Sequence, residues 1–455
     1  MYRLLPSALV ALVLHASGVT AQACSVNIES SYPAPAVHPD FSARLIVGGL
    51  TKPRGIIFDK AKNLLVVEAK VGIKRISFSS DNGLTCLAVG DVKTLVQNRD
   101  LTHGIEISPD GKTLYASSAS SVFSWTYDAA AGTLTDQRTL IVNMNNFDHV
   151  TRTLLLSRKE PEMLLISRGS GENLDRRAAD ETSGISQLRA FNLSEITGSP
   201  VNFNTAGRLV GWGLRNSVGV AEHPVTGAIY TVENSADNIQ RLGEDIHQDN
   251  PAEELNAHPA LSSPPPPSPL NYGYPSCLSL WSPVPASPSN ATLLPPSTPF
   301  ALDPSDDALC AATVPPRLVF QAHTAPLDIK FDAAGSAAYV SFHGSWNRDE
   351  PVGYDLGVVR FDAGTGEPVD GPESREAVVQ VLGNKDVKGC PGSCFRPVGV
   401  VVEEEGGRVF MTSDSTGEVY VVKRREAGEA VEEGSGGSSA AAGGRGVMVM
   451  VLGYP

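Results

Sequence analysis

One hydrophobic phrase recurs six times along the chain: a short apolar run, a polar turn, a second apolar run, then small or polar residues. It first reads Arg54-Gly55-Ile56-Ile57-Phe58-Asp59, followed by Leu64-Leu65-Val66-Val67-Glu68. It returns as His103-Gly104-Ile105-Glu106-Ile107 leading to Leu114-Tyr115-Ala116-Ser117. Further copies join 151–156 to 163–168, 218–221 to 228–233, 327–332 to 338–341, and 398–402 to 409–413. Each copy predicts a β-hairpin, because short β-branched or apolar runs are joined through Asp, Gly or Pro turns. The clearest turn is Pro109-Asp110-Gly111-Lys112. Additional strands are legible at 121–125 and 418–422. Two hairpins make a four-stranded blade, so six copies predict an all-β, six-bladed β-propeller of four-stranded antiparallel blades. Helical periodicity is nearly absent, and a β-sandwich would not repeat one phrase six times.

The spacing is uneven. Copies four and five lie roughly a hundred residues apart, about twice the separation of the first two. The interval holds Ser262-Ser263-Pro264-Pro265-Pro266-Pro267-Ser268-Pro269 and reads as a Pro-rich surface insertion, about 251–300, partly extended and not a separate domain. Residues 426–445 are rich in Glu, Gly, Ser and Ala, so the 426–455 tail is expected to be disordered. Its apolar end, 447–452, is compatible with pairing to a blade edge or with a short tail of no consequence.

At the other end, Arg3 precedes an apolar run from Leu4 to Val19 that closes on Ala21-Gln22-Ala23. That is the pattern of a secretory signal peptide over 1–23, with the propeller occupying 24–425. No other run has the length of a membrane-spanning helix, so secretion without a membrane association is expected. An even number of cysteines, six, fits an oxidising compartment. Fifteen pairings can be drawn. Sequence proximity favours Cys390–Cys394 and Cys277–Cys310, leaving Cys24 with Cys86. A zinc site would call for paired short spacings, which the cysteines lack. Asn192 and Asn290 stand in N-x-S/T sequons. The formal net charge of −14 argues against a nucleic-acid or anionic-membrane partner, since phosphate binding needs a basic surface.

In a propeller the residues just before each innermost strand converge on the channel. Here they are Arg54, His103, His149 with Thr151 and Arg152, Arg215 with Asn216, His323, and Arg396. Singly, such an Arg is a solvated rim residue and such a His a structural one. Repeated at equivalent places, they point to an anionic or polar ligand in the channel.

Five runs carry a family resemblance. The text His149-Val150-Thr151-Arg152-Thr153-Leu154, Gly213-Leu214-Arg215-Asn216-Ser217-Val218-Gly219 and Asn271-Tyr272-Gly273-Tyr274-Pro275 resembles the soluble glucose/sorbosone dehydrogenases, six-bladed propellers that hold pyrroloquinoline quinone and calcium. His343-Gly344-Ser345-Trp346-Asn347-Arg348 and Phe395-Arg396-Pro397-Val398-Gly399 are closer to the fungal pyranose dehydrogenases of auxiliary activity family 12. The resemblance extends from Cys24 to about Arg425. It implies a secreted quinoprotein that oxidises the C1 hydroxyl of an aldose by hydride transfer to pyrroloquinoline quinone. His149 would be the catalytic base, with Asp148 or Asp175 to orient it. Arg54, Arg215, Asn216, His343, Asn347 and Arg396 would bind the cofactor, whose carboxylates call for such donors. Carbonyls of Gly273, Tyr274 and Pro275 would bind Ca²⁺, which polarises the quinone oxygen.

The glucose dehydrogenases differ where this chain has 343–348, so a strict glucose preference is not implied. With no Cys-x-x-Cys-His motif, the electron acceptor is expected to be a separate molecule such as a secreted cytochrome-bearing protein. The alternatives are a calcium-dependent lactonase or paraoxonase-like hydrolase, which wants several carboxylates such as Glu233 and Asp237 with Asn234 around its metal, and a non-catalytic binding propeller, which predicts aromatic, uncharged loop ends.

Overall fold

A computed structural model describes Cys24 and residues 28–425, apart from Pro267, Pro269, Pro288 and Ser289. The signal-peptide and tail expectations fall on 1–23 and 426–455 and lie outside the described residues. Six antiparallel sheets form the blades, and all six hairpins read from the sequence supply their first two strands. Blade 1 is Pro53–Phe58, Leu64–Glu68, Gly72–Asp81 and Leu87–Gln97. Blade 2 runs through Leu101–Ile107, Thr113–Ser118, Val122–Asp128 and Thr133–Val142; blade 3 through Leu154–Leu156, Met163–Arg168, Gln187–Asn192 and Arg208–Trp212. Blade 4 is Ser217–Glu222, Ile229–Glu233, Glu253–His258 and Leu318–Phe320, and blade 5 is Pro326–Phe331, Ala337–Phe342, Asp355–Arg360 and Val378–Gly383. Blade 6 takes three strands from the C-terminal side, Pro397–Val402, Val409–Ser413 and Glu418–Arg424. Its outer strand is Phe41–Val47, paired antiparallel from Phe41↔Arg424 to Val47↔Val419, and this closes the ring.

The apolar runs are continuous where an ordinary antiparallel sheet would alternate. The cause is that each central strand is buried on both faces. Leu64 and Val66 pack with Phe410 and Val419 of blade 6, while Leu65 and Val67 pack with Leu114 and Trp125 of blade 2. Equivalent clusters join the other neighbouring blades around the ring. The glycine in the repeated phrase has a steric reason. A Cβ on Gly55 would collide with the carbonyl of His103, and one on Gly104 with the carbonyl of Arg152, so adjacent inner strands approach only because these positions are glycine.

Three disulfides join Cys24 to Cys86, Cys277 to Cys310, and Cys390 to Cys394, the pairing that sequence proximity favours. The interval 251–300 differs from a single surface loop. Glu253–His258 is the third strand of blade 4, and Leu270–Asn271 adds to the edge of blade 3. The strand was illegible because it buries Glu253, Glu254 and His258, polar residues that break any apolar pattern. What remains outside the blades includes Cys277–Ser279 paired with Pro299–Ala301, fastened by the Cys277–Cys310 bridge.

Candidate active site

In an antiparallel hairpin the start of the first strand lies beside the end of the second. Ser217 faces Glu233, Pro326 faces Phe342, and Pro397 faces Ser413. Residues just after each second strand therefore share a rim with those just before each first strand. At that rim is a polar cavity of about 510 Å³. It is lined by His149, Arg215, Asn216, His343, Asn347 and Arg396, together with Asp148, Asn173, Asn234, Asp237, Glu253, His323 and Trp346.

His149 is oriented by Ser170. Its Nδ1 lies 3.0 Å from the Ser170 carbonyl and 3.0 Å from Ser170 Oγ. A carbonyl only accepts, so Nδ1 carries the proton and Nε2 keeps its lone pair. Burial, reinforced by the Arg215 charge, pushes the imidazole down to about 4, so it is neutral in mildly acidic and neutral solution. Asp175 does not hold it. That carboxylate instead accepts from Gly171 N and from Arg177, 2.8 and 2.6 Å away. Asp148 lines the cavity, and its charge opposes the downward shift.

Two carboxylates outside the predicted quinone-binding set organise the cations. Asp237 accepts from Arg215 Nη2 and from Asn347 Nδ2, both at 2.9 Å, and stands 3.6 Å from His323 Nδ1. Asp414 accepts from Arg54 Nη1 at 2.7 Å and from His343 Nε2 at 2.9 Å. Burial works against the Asp414 charge, but the His343 hydrogen bond and the Arg54 guanidinium hold this carboxyl well below its ordinary range. His343 is therefore protonated on Nε2 and presents Nδ1 as an acceptor. Arg396 is different. It donates to the carbonyls of His343 and Gly344, at 3.0 and 2.9 Å, and has no carboxylate partner at ion-pair distance among the described residues.

The expected basic ring is thus charge-compensated. Arg54 does not line the cavity and reaches it only through Asp414. His103 is buried and does not line the cavity, and its Nδ1 is unbonded. Arg152 is fully buried and donates to the carbonyls of His149, Thr151 and Met144, fixing the loop that carries His149. Gly273, Tyr274 and Pro275 do not line the cavity either. Their segment is tied to the Arg215 run, with Tyr274 N donating to Gly213 O at 3.0 Å. Both lone-pair directions of the Gly273 carbonyl are used by the Ser276 and Cys277 amides, at 3.0 and 2.9 Å. Among the described residues, no three His, Cys, Asp or Glu side chains group to hold a metal, which removes the support for the carboxylate-rich hydrolase site.

Glu253 forms part of the cavity wall. Its carboxyl accepts from the amides of Ser235 (2.7 Å) and Ala325 (3.2 Å), and burial pushes it up to about 8. Trp346 stands at the rim with 66% of its surface exposed, in a molecule whose other tryptophans are at least half-buried. The signal for Asp414 was the rim shared by both hairpin ends, which places it, like Asn234 and His343, directly after a second strand.

Fold and cavity define a six-bladed propeller with a polar, three-imidazole small-molecule site at the mouth of its channel. The TrAA12-like family profile matches residues 35–425, and the chain belongs to that family. It is 45% identical over 436 residues, 93% of this chain and 98% of the relative, to a pyrroloquinoline quinone-dependent sugar dehydrogenase of Hypocrea jecorina. A calcium structure of a Trichoderma reesei family AA12 enzyme superposes with a TM-score of 0.83 at 45% identity, over 88% of this chain and all of that one. The holo pyranose dehydrogenase PQQ domain from Coprinopsis cinerea gives 0.81 at 36% identity, over 88% and 99%.

Proposed function

We propose that the chain is a secreted, pyrroloquinoline quinone-dependent dehydrogenase that oxidises the C1 hydroxyl of aldoses. The observation that carries this reading is His149, an imidazole kept neutral with its Nε2 lone pair unspent beside an array of Arg and Asn donors. The array suits a tricarboxylate cofactor. Arg396 has no carboxylate partner among the described residues, and about 510 Å³ lies within the range of cofactor and ligand pockets. Arg215, Asn216, Asn347 and Arg396 would hold the quinone, with His343 beside them and Arg54 acting through Asp414. The quinone, when bound, supplies the two-electron acceptor for the hydride leaving C1.

The protein's own part is proton handling and placement. His149 Nε2 accepts the C1 hydroxyl proton, and the Ser170 carbonyl stabilises the imidazolium that forms. Trp346 offers an apolar face at the rim for a sugar ring. Calcium is assigned to the carbonyls of Tyr274 and Pro275, which accept no backbone hydrogen bond among the described residues; Gly273 is spent. Three disulfides support an extracellular setting, and the electron acceptor is a separate molecule.

The test is to titrate the cofactor-free protein with pyrroloquinoline quinone and calcium, then follow dye reduction by a panel of aldoses. Saturable quinone binding with sugar-dependent reduction is expected. Absence of both would overturn the reading.

A further inference from the structure

Among the described residues only two aromatic side chains are exposed, Phe147 and Trp346, and both stand at the mouth of the channel. Phe147 is on the loop before the first strand of blade 3, next in sequence to Asp148 and His149 of the cavity lining. Trp346 is on the loop after the second strand of blade 5 and belongs to that lining. Val150 and Leu174, also exposed, extend the same rim. The loops that carry these four are joined. Asn146 Nδ2 donates to the carbonyls of Gly169 and Ser170 at 2.8 and 2.9 Å, and Asn173 Nδ2 to Asp237 O at 2.7 Å. Asn347 Nδ2 completes the link at Asp237 Oδ1, 2.9 Å away. The fully buried Arg152 ties down the Phe147 loop through the Met144 and His149 carbonyls. Apolar side chains are thus presented to water by a braced arc, not by a slack loop.

The charge around this arc is one-sided. Asp148, Glu172, Glu244, Asp349 and Glu350 are exposed on the mouth loops of blades 3, 4 and 5. The exposed cations on those loops are Arg176 and Arg177, the second bound to Asp175 at 2.6 Å. The lysines of the mouth face stand elsewhere, Lys52 and Lys70 on blade 1, Lys385 and Lys388 on the connection into blade 6. An apolar centre flanked by acids attracts a partner whose own apolar face is flanked by basic residues, and salt weakens that attraction.

What must come to this mouth follows from the dehydrogenase reading, on which the inference rests. Oxidation of a C1 hydroxyl to the lactone leaves two electrons and two protons in the cavity, and the next turnover requires their removal. A sugar needs only a flat ring to stack on, whereas aliphatic Val150 and Leu174 beside the two rings make a surface that excludes water around a protein contact. Four residues make a small patch, which suits an acceptor that leaves after each electron. We propose that this arc docks a basic redox protein with a solvent-reaching one-electron centre such as a haem. Two such molecules in the ferric state take one electron each per sugar and become ferrous, and the two protons pass to water.

The probe is mitochondrial cytochrome c, a small basic haem protein, with the acidic copper protein plastocyanin for comparison. Their reduction by the full chain loaded with quinone and calcium is followed beside dye reduction, with glucose and with cellohexaose. Wild type, Phe147→Ser and Phe147→Ser with Leu174→Ser are compared, and cytochrome c binding to each unloaded chain is measured by calorimetry. The double substitution should lower both kcat/KM for cytochrome c and its affinity for the unloaded chain about tenfold, with dye reduction unchanged. Both should weaken as salt is raised, and plastocyanin should be reduced about tenfold more slowly than cytochrome c. Equal cytochrome c binding and reduction in wild type and double variant overturn the proposal. So does a loss confined to cellohexaose oxidation, which gives the rim to the sugar, or a dimer that the substitutions part in sedimentation, which gives it to a second copy. Dye reduction without cytochrome c reduction in the wild type is a failure of the docking face alone. Absence of dye reduction is a failure of the dehydrogenase reading and takes the proposal with it.

Discussion

Two imidazoles reach the channel cavity from different blades and are held in opposite ways. His149 donates Nδ1–H to a neutral carbonyl, that of Ser170, whereas His343 donates Nε2–H to a carboxylate, Asp414, that also carries Arg54. Both therefore turn an unprotonated nitrogen to the cavity, but by different electrostatics. At His149 burial and the Arg215 charge win, and the ring is neutral down to about pH 4. At His343 burial also lowers the imidazole, while the adjacent carboxylate pulls the other way. A carbonyl can fix a tautomer without adding charge; a carboxylate fixes it and at the same time neutralises an arginine. The first arrangement suits an imidazole that must gain and lose a proton repeatedly, the second one whose job is to hold position.

That contrast breaks most sharply at His149. His149→Ala should lower sugar-dependent dye reduction by about 10²–10⁴-fold while leaving quinone binding within a few-fold of wild type, by fluorescence titration. Equal turnover would transfer the base to His343 or His323. Next in size is Asp414→Ala, which strands Arg54 and leaves His343 without its acceptor. A loss of up to about 3 kcal/mol in denaturant unfolding is expected, at the low end for a broken buried pair because the side chains retain 14–18% exposure. The sign with pH follows from the depressed Asp414 carboxyl: its contribution is present above the ordinary carboxyl range and is lost as the pH falls below it. Ser170→Ala removes only Oγ and spares the carbonyl, so turnover should fall by less than tenfold, roughly the worth of one hydrogen bond. Last, Glu253→Gln should match wild-type melting near pH 5. It should exceed it as pH rises through about 8, because a carboxyl raised from 4.5 loses its stabilising proton over that window.

How legible all this was depended on burial. The hairpins were readable because strands buried on both faces, such as Leu64–Glu68, are almost wholly apolar. The third strand of blade 4 was not, since Glu253, Glu254 and His258 hide a strand inside polar text. At the site, His149, Arg215, Asn216, His343, Asn347 and Arg396 do gather at one cavity. Arg54 lies a step behind, Asp237 was read only as a ligand of the alternative metal site, and Asp414 escaped notice because a lone Asp after a strand looks like any turn residue. Their importance is a matter of pairing across the ring, over 71 residues for His343 with Asp414 and 360 for Arg54 with the same carboxylate. Local sequence does not contain that information. Ser170 was hidden for a simpler reason: its backbone carbonyl, common to every residue, does the orienting.

The strand Phe41–Val47 finishes the blade that ends at Arg424. For a chain made from its N-terminus, this early strand must wait for almost everything else before it has a place to go. Until Glu418–Arg424 arrives, Ile46 and Val47 have no Val419 or Val421 to cover them. Maturation of this protein is thus a closing act. A truncation that removes the last strand should release the first along with it, and a quality-control system that senses unpaired apolar strands would hold such a chain back before the cavity could form.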